Sequence, residues 1–504
     1  MEPDRSAENE PREYVETDPL RGTFEVEETK KRSFKETCGY VFRNITVEPS
    51  MIMFVTGYTI YSLVSQNLSL EKACRVNLNF TEQICDSLKL QTVESENQYE
   101  RQVQQLVTKM LAYKTYITAT IPSFLALFIG SFSDKTGYRK MFIIISVAGQ
   151  LCVVINNIVN VYFITTLPLE VMVYTDAVID GITGAWCSCA LTVFAFIGAI
   201  TTTEERTLRL GLINFCMTVG FPIGLTLSGS LLSNIGYYGC YGLAGGLHVI
   251  NLAYNIFILR DPPKTEEQKS HNGKGLCHYL RVFFDFTNIK ETFRVVFKNG
   301  PNNRRVRIIL MLITVAILFG PMHGELSIMY LFTRYRFNWD EVMFSIFQTY
   351  NFVTHTIGTI FSIVLLSKYL QWHDSILGII STVSKIAGSF IYCFAPNEKI
   401  FFIAPLVDTL NGMGLLAVRS LTSKLVAVDE LGKVNSIFAL SENLMPLVYI
   451  PLYTMVYAAT MEVLPGAVFL MGSAMTIPAL IVFIWILVDY KLGIRKEKSK
   501  TPVD

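Results

Sequence analysis

Charge is scarce in this chain. Of 504 residues only 17% are Asp, Glu, Lys or Arg, against about 25% in a water-soluble domain. The 43 basic residues offset 42 acidic ones and leave a net charge of +1, which gives no bulk field to draw in nucleic acid or an acidic partner. Cysteine is thin too, since ten in so long a chain do not make a disulfide scaffold. No CxxC or zinc spacing occurs: Cys187 and Cys189 are separated by one residue. With Cys152, Cys216 and Cys393 they fall inside apolar segments, where cysteine serves as a small hydrophobe. The absence of a Walker motif or a glycine-rich phosphate loop argues against ATP as a driving force. The absence of HExxH and GxSxG argues against a membrane enzyme. Nothing in these patterns calls for a cofactor or a metal. Residues 1–46 are polar, so no signal peptide precedes the apolar segments, and the first of these is expected to direct insertion itself.

What is abundant is apolar length, at 51% of the chain. Apolar segments recur at about 49–66, 110–132, 141–162, 171–198, 208–232, 238–259, 306–331, 342–366, 375–394, 400–421, 436–457 and 466–488. A span needs about 20 residues, so the pattern predicts an all-α membrane protein of twelve transmembrane helices, the longer ones tilted or projecting. The expected organisation is a disordered N-tail over 1–46, a six-helix half over 47–259 with a long loop at 67–109, and a central loop over 260–305. A second six-helix half follows over 306–488, then a C-tail over 489–504. The central loop holds ten Lys/Arg against five acids, and both tails carry basic clusters beside the membrane. The positive-inside bias therefore places both termini and the central loop in the cytoplasm, with Arg334, Arg336 and Lys399 as exceptions on the other side.

The loop at 67–109 then faces an oxidising compartment. It carries the sequons Asn67-Leu-Ser69 and Asn79-Phe-Thr81, of which Asn79 is the better acceptor because Asn67 sits close to the membrane. Cys74 and Cys85 in the same loop are either a disulfide or two free thiols. A third sequon, at Asn44, falls on the cytoplasmic side and is expected to stay unmodified.

Between spans 2 and 3 the chain reads Gly130-Ser-Phe-Ser-Asp134-Lys-Thr-Gly137-Tyr-Arg139-Lys140. This resembles the G-x-x-x-D-x-x-G-x-[RK]-[RK] signature of the major facilitator superfamily. Gly130 and Gly137 would permit a tight turn and close helix approach, and Asp134 would complement a helix dipole or pair with Arg139 or a neighbouring arginine. A latch of this kind releases as two halves rock.

A narrower resemblance covers nearly the whole chain. Asn44-Ile-Thr-Val-Glu48-Pro49, Lys72-Ala-Cys74-Arg-Val-Asn77, Ile182-Thr-Gly184, Glu205-Arg206-Thr-Leu-Arg209, Ser423-Lys424-Leu-Val and Glu430-Leu-Gly432-Lys433 are similar to the proton-coupled folate transporter family, the forty-sixth solute-carrier family. The cysteine-bearing loop resembles its arthropod members. The resemblance implies a major facilitator fold and proton-coupled transport, with Arg206 and Arg209 joining the conformational switch. It departs at Ala185, aligned with a functional aspartate, and at Asn338, aligned with a loop cysteine, and so does not carry folate across as substrate.

Ionisable residues inside spans are costly and usually face a cavity or one another. Asp176 and Asp180 are four apart and share a helix face; they suit a proton carrier, and Asp176 is equally read as wet at the outer mouth. In Gly320-Pro321-Met-His323-Gly324-Glu325, the proline and glycines are expected to break span 7 and let His323 and Glu325 share one polar site. The resemblance aligns Glu325 with an acid of the family. Asp408 and Arg419 are eleven apart and return to nearly one helical face. Arg419 resembles the family's functional arginine and either holds an anionic substrate or an ion pair during the switch, or snorkels to the interface. Lys385 and Glu442 are further candidates; Lys114 and His355 are weaker ones, since nothing in the sequence sets the face they use. Gly211, Gly220 and Gly224 partly match an exporter's glycine pattern, interrupted by Pro222, and helix packing explains them equally.

Together these features predict a secondary transporter that moves a polar or anionic organic solute toward the cytoplasm by proton symport. The expected partners are small-molecule substrate, protons and the lipid bilayer, in a plasma or endolysosomal membrane. A proton antiporter and a transport-dead receptor or scaffold are the alternatives. The oligomeric state is not written in the sequence.

Overall fold

The computed structural model describes residues 45–92, 97–201, 203–264, 266–271, 273–299, 303–362, 372–426 and 431–498. Residues 1–44 of the N-tail, with Asn44, and residues 499–504 of the C-tail lie outside the described residues. Among the described residues all regular structure is helical. The first half holds α1 (Glu48–Lys72), α2 (Gln98–Thr136), α3 (Lys140–Tyr162), α4 (Leu169–Thr183), α5 (Ala185–Ile200) and α6 (Thr203–Phe257). The second holds α7 (Arg304–Phe337), α8 (Glu341–Phe361), α9 (Asp374–Phe394), α10 (Met413–Leu425), α11 (Leu431–Thr460) and α12 (Ala467–Lys498). Seven helical stretches among the described residues are long and apolar enough to cross a membrane. Helices α1, α8 and α11 have the length but carry more polar residues, as helices that line a polar interior do.

The boundaries differ from the expected spans for local reasons. The expected fourth span is two pieces, α4 and α5, joined where Gly184 (φ 73°) and Ala185 (φ 38°) leave the helical region. The expected fifth and sixth spans run together as α6, which turns at Gly236 (φ 64°) without an intervening loop. The loop at 67–109 is largely helical: α1 continues as a π-helical turn over Ala73–Asn77, a short helix covers Glu82–Lys89, and α2 begins at Gln98. Span 7 is not broken. α7 runs through Pro321 uninterrupted, because Gly320 and Gly324 serve packing: a Cβ on either would lie 2.2 Å from the Tyr449 ring or 2.4 Å from the Tyr453 ring of α11.

Helix pairing divides the molecule into two halves. α1 packs along α6, where a Cβ on Gly224 would fall 1.7 Å from Thr59 Oγ1 and 2.8 Å from the Thr56 carbonyl. The Asn251 and Asn255 amides donate to Ser50 O and Oγ at 3.0 and 2.8 Å. Gly220 and Gly224 of the span 5 pattern thus lie at a close helix approach, and Gly211 lies outside the described side chains. The halves meet mainly along two pairs, α2 with α11 and α6 with α8. Phe221 stacks on Phe352 in the second pair, with centroids 5.7 Å apart.

Candidate functional site

Each half sets a lysine beside buried carboxylates, Lys114 half-exposed and Lys385 buried. In the first, Asp176 and Asp180 lie on one face of α4, 1% and 8% exposed. Lys114 of α2 brings its Nζ to 3.6 Å from Asp176 Oδ2. The Asn156 and Asn157 amides of α3 donate to Asp176 at 2.8 and 3.1 Å, and Gln150 Nε2 donates to Asp180 Oδ1 at 2.9 Å. Gln150 in turn accepts from the Tyr61 hydroxyl of α1. Asp176 is therefore dry and fully bonded, and Lys114, weak as a candidate from sequence, is its counter-ion.

In the second half Lys385 of α9 forms a buried ion pair with Glu325 of α7. One turn along α9, Gly388 makes room for Asp408, whose Cβ would lie 2.7 Å from a Cβ there. His355 of α8 holds Nε2 3.7 Å from Asp408 Oδ2. The expected His323–Glu325 site is not formed. With α7 unbroken, His323 turns aside, half-exposed against the Phe319 ring at 5.3 Å, while Glu325 points inward. Asp408 and Arg419 do not share a helical face either: Asp408 follows a four-residue helix, Ala404–Val407, and α10 starts only at Met413, so the register assumed between them is interrupted by turns. Arg419 instead donates to both carboxylate oxygens of Glu442 on α11, at 2.7 and 2.8 Å.

The halves are joined on the face that carries the disulfide. Arg334 of α7 puts Nε 2.8 Å from Glu100 Oε1 of α2, both buried. Its Nη2 donates to the Leu88 carbonyl at 2.6 Å. Gln104 donates to Glu100 at 2.9 Å and accepts from the Tyr457 hydroxyl of α11 at 3.0 Å. Arg101 reaches Glu462 at 2.8 Å. None of the contacts between the halves was read from the sequence, because partners more than 200 residues apart leave no local signal. Cys74 and Cys85 form a disulfide with Cα atoms 5.9 Å apart. Asn67, expected as a second glycan acceptor, is buried in α1 and accepts from the Tyr330 hydroxyl at 2.6 Å, which leaves no room for a glycan; Asn79 is exposed.

On the opposite face Gly137 closes α2 in the left-handed region, φ 73°. A Cβ there would meet Gln268 Oε1 at 2.9 Å. Gly130, expected to host a close helix approach, faces open space. The backbone N–H groups of Arg139 and Lys140 at the start of α3 donate to Asp261 Oδ1 at 3.1 and 2.8 Å, so a carboxylate of the central segment caps this helix. The side chains of Asp134 and Arg206 lie outside the described ones. Arg209 is buried between Glu48 Oε1 at 2.9 Å and Thr46 Oγ1 at 2.7 Å, so two of the family-like motifs meet in space. The central segment is docked here by Phe283, Phe284 and Phe286 around Phe128, with centroids 5.1–5.7 Å apart. Lys135 lies 2.6 Å from Asp285 and, by that bond, helps hold its carboxyl well below the usual carboxylate range.

The family model described as Major Facilitator Superfamily matches residues 110–449 of the chain, a stretch that includes the turn between α2 and α3. The chain belongs to the Major Facilitator Superfamily. It is accordingly a membrane transporter rather than an enzyme. The narrower resemblance holds as well, since similar proteins belong to solute-carrier family forty-six. The lysosomal proton-coupled steroid conjugate and bile acid symporter of Gallus gallus is 25% identical over 88% of this chain and 94% of that protein. Its Homo sapiens counterpart is 26% identical over 81% and 87%. A probable peptidoglycan muropeptide transporter of Drosophila melanogaster is 20% identical over 83% and 81%. Among solved structures, the human organic anion transporter MFSD10 (TETRAN) superposes with a TM-score of 0.55 at 12% identity, covering 90% of this chain and all of that one. A POT family transporter, PepTSo, gives 0.55 at 12% identity over 88% and 98%. These two likenesses concern the fold.

Proposed function

We propose that this superfamily member is a twelve-span secondary transporter, with both termini and the central segment in the cytoplasm, that carries polar or anionic organic solutes toward the cytoplasm with protons. In this reading α4 with α5 make one crossing and α6 makes two, divided at Gly236. The observation that carries the coupling is that each half sets a lysine beside two buried carboxylates, half-exposed Lys114 with Asp176 and Asp180 in one half and buried Lys385 with Glu325 and Asp408 in the other. Two carboxylates to one lysine leave an excess negative charge in each half, and a buried excess charge is neutralised most readily by a proton. Protonation at one cluster then changes what that half will hold as the halves rock. Arg139, Lys140 and Arg209 act in the switch, and Arg419 with Glu442 opens or closes the cytoplasmic end. Relatives named for steroid conjugates, bile acids and muropeptides point to large amphiphilic or zwitterionic solutes, and a lysosomal or plasma membrane fits either.

The test is uptake into vesicles under an imposed pH gradient, with a conjugated bile acid, a steroid sulfate, a muramyl dipeptide and folate as probes. Accumulation driven by acid on the disulfide face is expected. Accumulation only when the central-segment face is the more acidic would overturn symport in favour of antiport. Uptake insensitive to Glu325→Gln and Asp408→Asn would overturn the assignment of coupling to these clusters.

A further inference from the structure

The central segment contains two amphipathic helices, Leu276–Phe283 and Thr287–Val296. The first packs on α2 and the second chiefly on α11. Tyr279, Val282 and Phe283 turn inward to Phe132 and Phe142, while Val296 is fully buried in the core of the second half. These contacts use one face of each helix and leave another uncovered. On the first helix the uncovered residues are Cys277, Leu280, Arg281 and Phe284, at the three- and four-residue spacing of a single face. On the second they include Lys290, Phe293 and Arg294. Leu280, Phe284 and the linking Phe286 are each about half exposed. None of the three basic residues has an acidic partner among the described side chains, and Asp285 between the helices is taken by Lys135. A surface meant for water interleaves charges of both signs; this one sets large apolar side chains beside cations, as interfacial helices do. Its height along α2 decides what lies against it. Phe284 and Phe286 lie against the Phe128 ring, with centroids 5.4 and 5.1 Å away. Phe128 stands about 12 Å short of the end of α2 at Thr136, at 1.5 Å per residue. One turn further in, Phe124 is exposed and 5.5 Å from Phe128. The exposed rings of the central segment therefore continue the exposed apolar surface of a long apolar helix.

We propose that this two-helix face is a membrane-surface contact, seated on the anionic phospholipids of the cytoplasmic leaflet. Leu280, Phe284 and Phe286 enter the boundary between headgroups and acyl chains. Arg281, Lys290 and Arg294 extend their charged ends to the lipid phosphates and carboxylates. The charge complementarity is one-sided, since the face offers cations without acids and that leaflet offers anions. One helix is held by each half, so the same lipids contact both sides of the joint between α2 and α11. The inference rests on the topology proposed above, which puts the central segment in the cytoplasm, and adds anionic lipid as its partner.

The experiment uses the full chain in lipid nanodiscs and needs no substrate. Cys277 is the reporter, because it is exposed on the same face; it carries a bimane label in a background of Cys38→Ser and Cys152→Ser. Quenching by nitroxide lipids is compared with quenching by iodide, in discs of phosphatidylcholine alone and of phosphatidylcholine with phosphatidylserine. Lipid quenching is expected to exceed iodide quenching in the phosphatidylserine discs and to fall as salt is raised. A basic residue near such a surface contributes about a factor of five to binding, so Arg281→Gln with Arg294→Gln is expected to lower the ratio of lipid-bound to free label about 25-fold. Leu280→Ser is expected to weaken lipid quenching in both kinds of disc. A label quenched by iodide alone, equally in both, would overturn the proposal by placing the face in water. Lipid quenching that is the same with and without phosphatidylserine would overturn the anionic partner. A label shielded from both quenchers would overturn the lipid contact in favour of a protein one, and crosslinking of Cys277 between chains would name a second copy. Reaction of Cys277 with an impermeant maleimide outside intact cells would overturn the topology beneath the proposal, a failure read separately from the quenching.

Discussion

In the transport cycle proposed above, the disulfide face opens only when the buried Arg334–Glu100 pair separates, and that makes the closed state sensitive to one atom group. The guanidinium and the carboxylate are 4% and 6% exposed and 2.8 Å apart. Replacing Arg334 with Gln leaves Glu100 buried opposite a neutral group, with Gln104 as its remaining donor. Breaking a buried pair in this way costs about 3–5 kcal/mol. The cost falls on the closed state, since opening wets the carboxylate. At about 1.4 kcal/mol per decade the closed-to-open ratio drops by roughly 10²- to 4 × 10³-fold, enough to bring a closed population of about 99% to about half or less. A cysteine placed at Thr108, one turn below Gln104 and 1% exposed, reports the change through its alkylation rate by a membrane-impermeant maleimide added on the disulfide side. The parent chain without Thr108→Cys supplies the background. Arg334→Gln and Glu100→Gln are each expected to raise the rate at least tenfold, and the double variant less than either, because two neutral partners are cheaper to bury than one stranded charge. Single-variant rates within twofold of the parent would refute the assignment of this pair to the closed state.

Four further outcomes follow from geometry described above. Lys385→Met is expected to lower thermal stability in detergent more than Lys385→Met with Glu325→Leu, since the single change leaves a buried carboxylate without its cation; equal losses would show the pair to be unimportant. Gly224→Val forces side-chain atoms onto Thr59 Oγ1 and the Thr56 carbonyl, an overpacking of about 1–3 kcal/mol read as a lowered Tm with α1 and α6 splayed; an unchanged Tm would contradict the close approach. Asn79→Gln should abolish the glycosidase-sensitive shift on a gel and Asn67→Gln should not, so a shift surviving Asn79→Gln would contradict the burial of Asn67. Asp261→Ala removes the acceptor for two N–H groups at the start of α3 and is expected to cost about 1 kcal/mol, seen as faster amide exchange at Arg139 and Lys140.

The helical periodicity was readable because it is local. Asp176 and Asp180 share a face of α4 as their spacing requires, and the apolar runs coincide with most of the long helices. What failed was what depends on distant partners or on the backbone's response to context. Pro321 does not break α7, because the tyrosines of α11 pack into the flanking glycines and hold the helix together. Asp408 and Arg419 lose their common face because turns replace helix between Val407 and Met413, a change that an apolar stretch does not advertise. Lys114 and Lys385 found their carboxylates on other helices, and Glu100 found Arg334 across 234 positions, none of which leaves a pattern within a window of sequence. The capping of α3 by Asp261 was hidden for the same reason.

The joint at Gly184 and Ala185 gives the first half a mechanical property of its own. A continuous helix transmits rotation along its length and resists bending through its ladder of hydrogen bonds; here the ladder is already interrupted. Both residues occupy left-handed backbone, a costly conformation for alanine and a tolerable one for aspartate or asparagine, the residue type that the family resemblance places at position 185. The rod that bears Asp176 and Asp180 and the rod that follows it are therefore separate levers on a shared pivot. The carboxylates and their hydrogen bonds to α3 all lie on the first rod, so the joint stands between the charge site and the rest of the span.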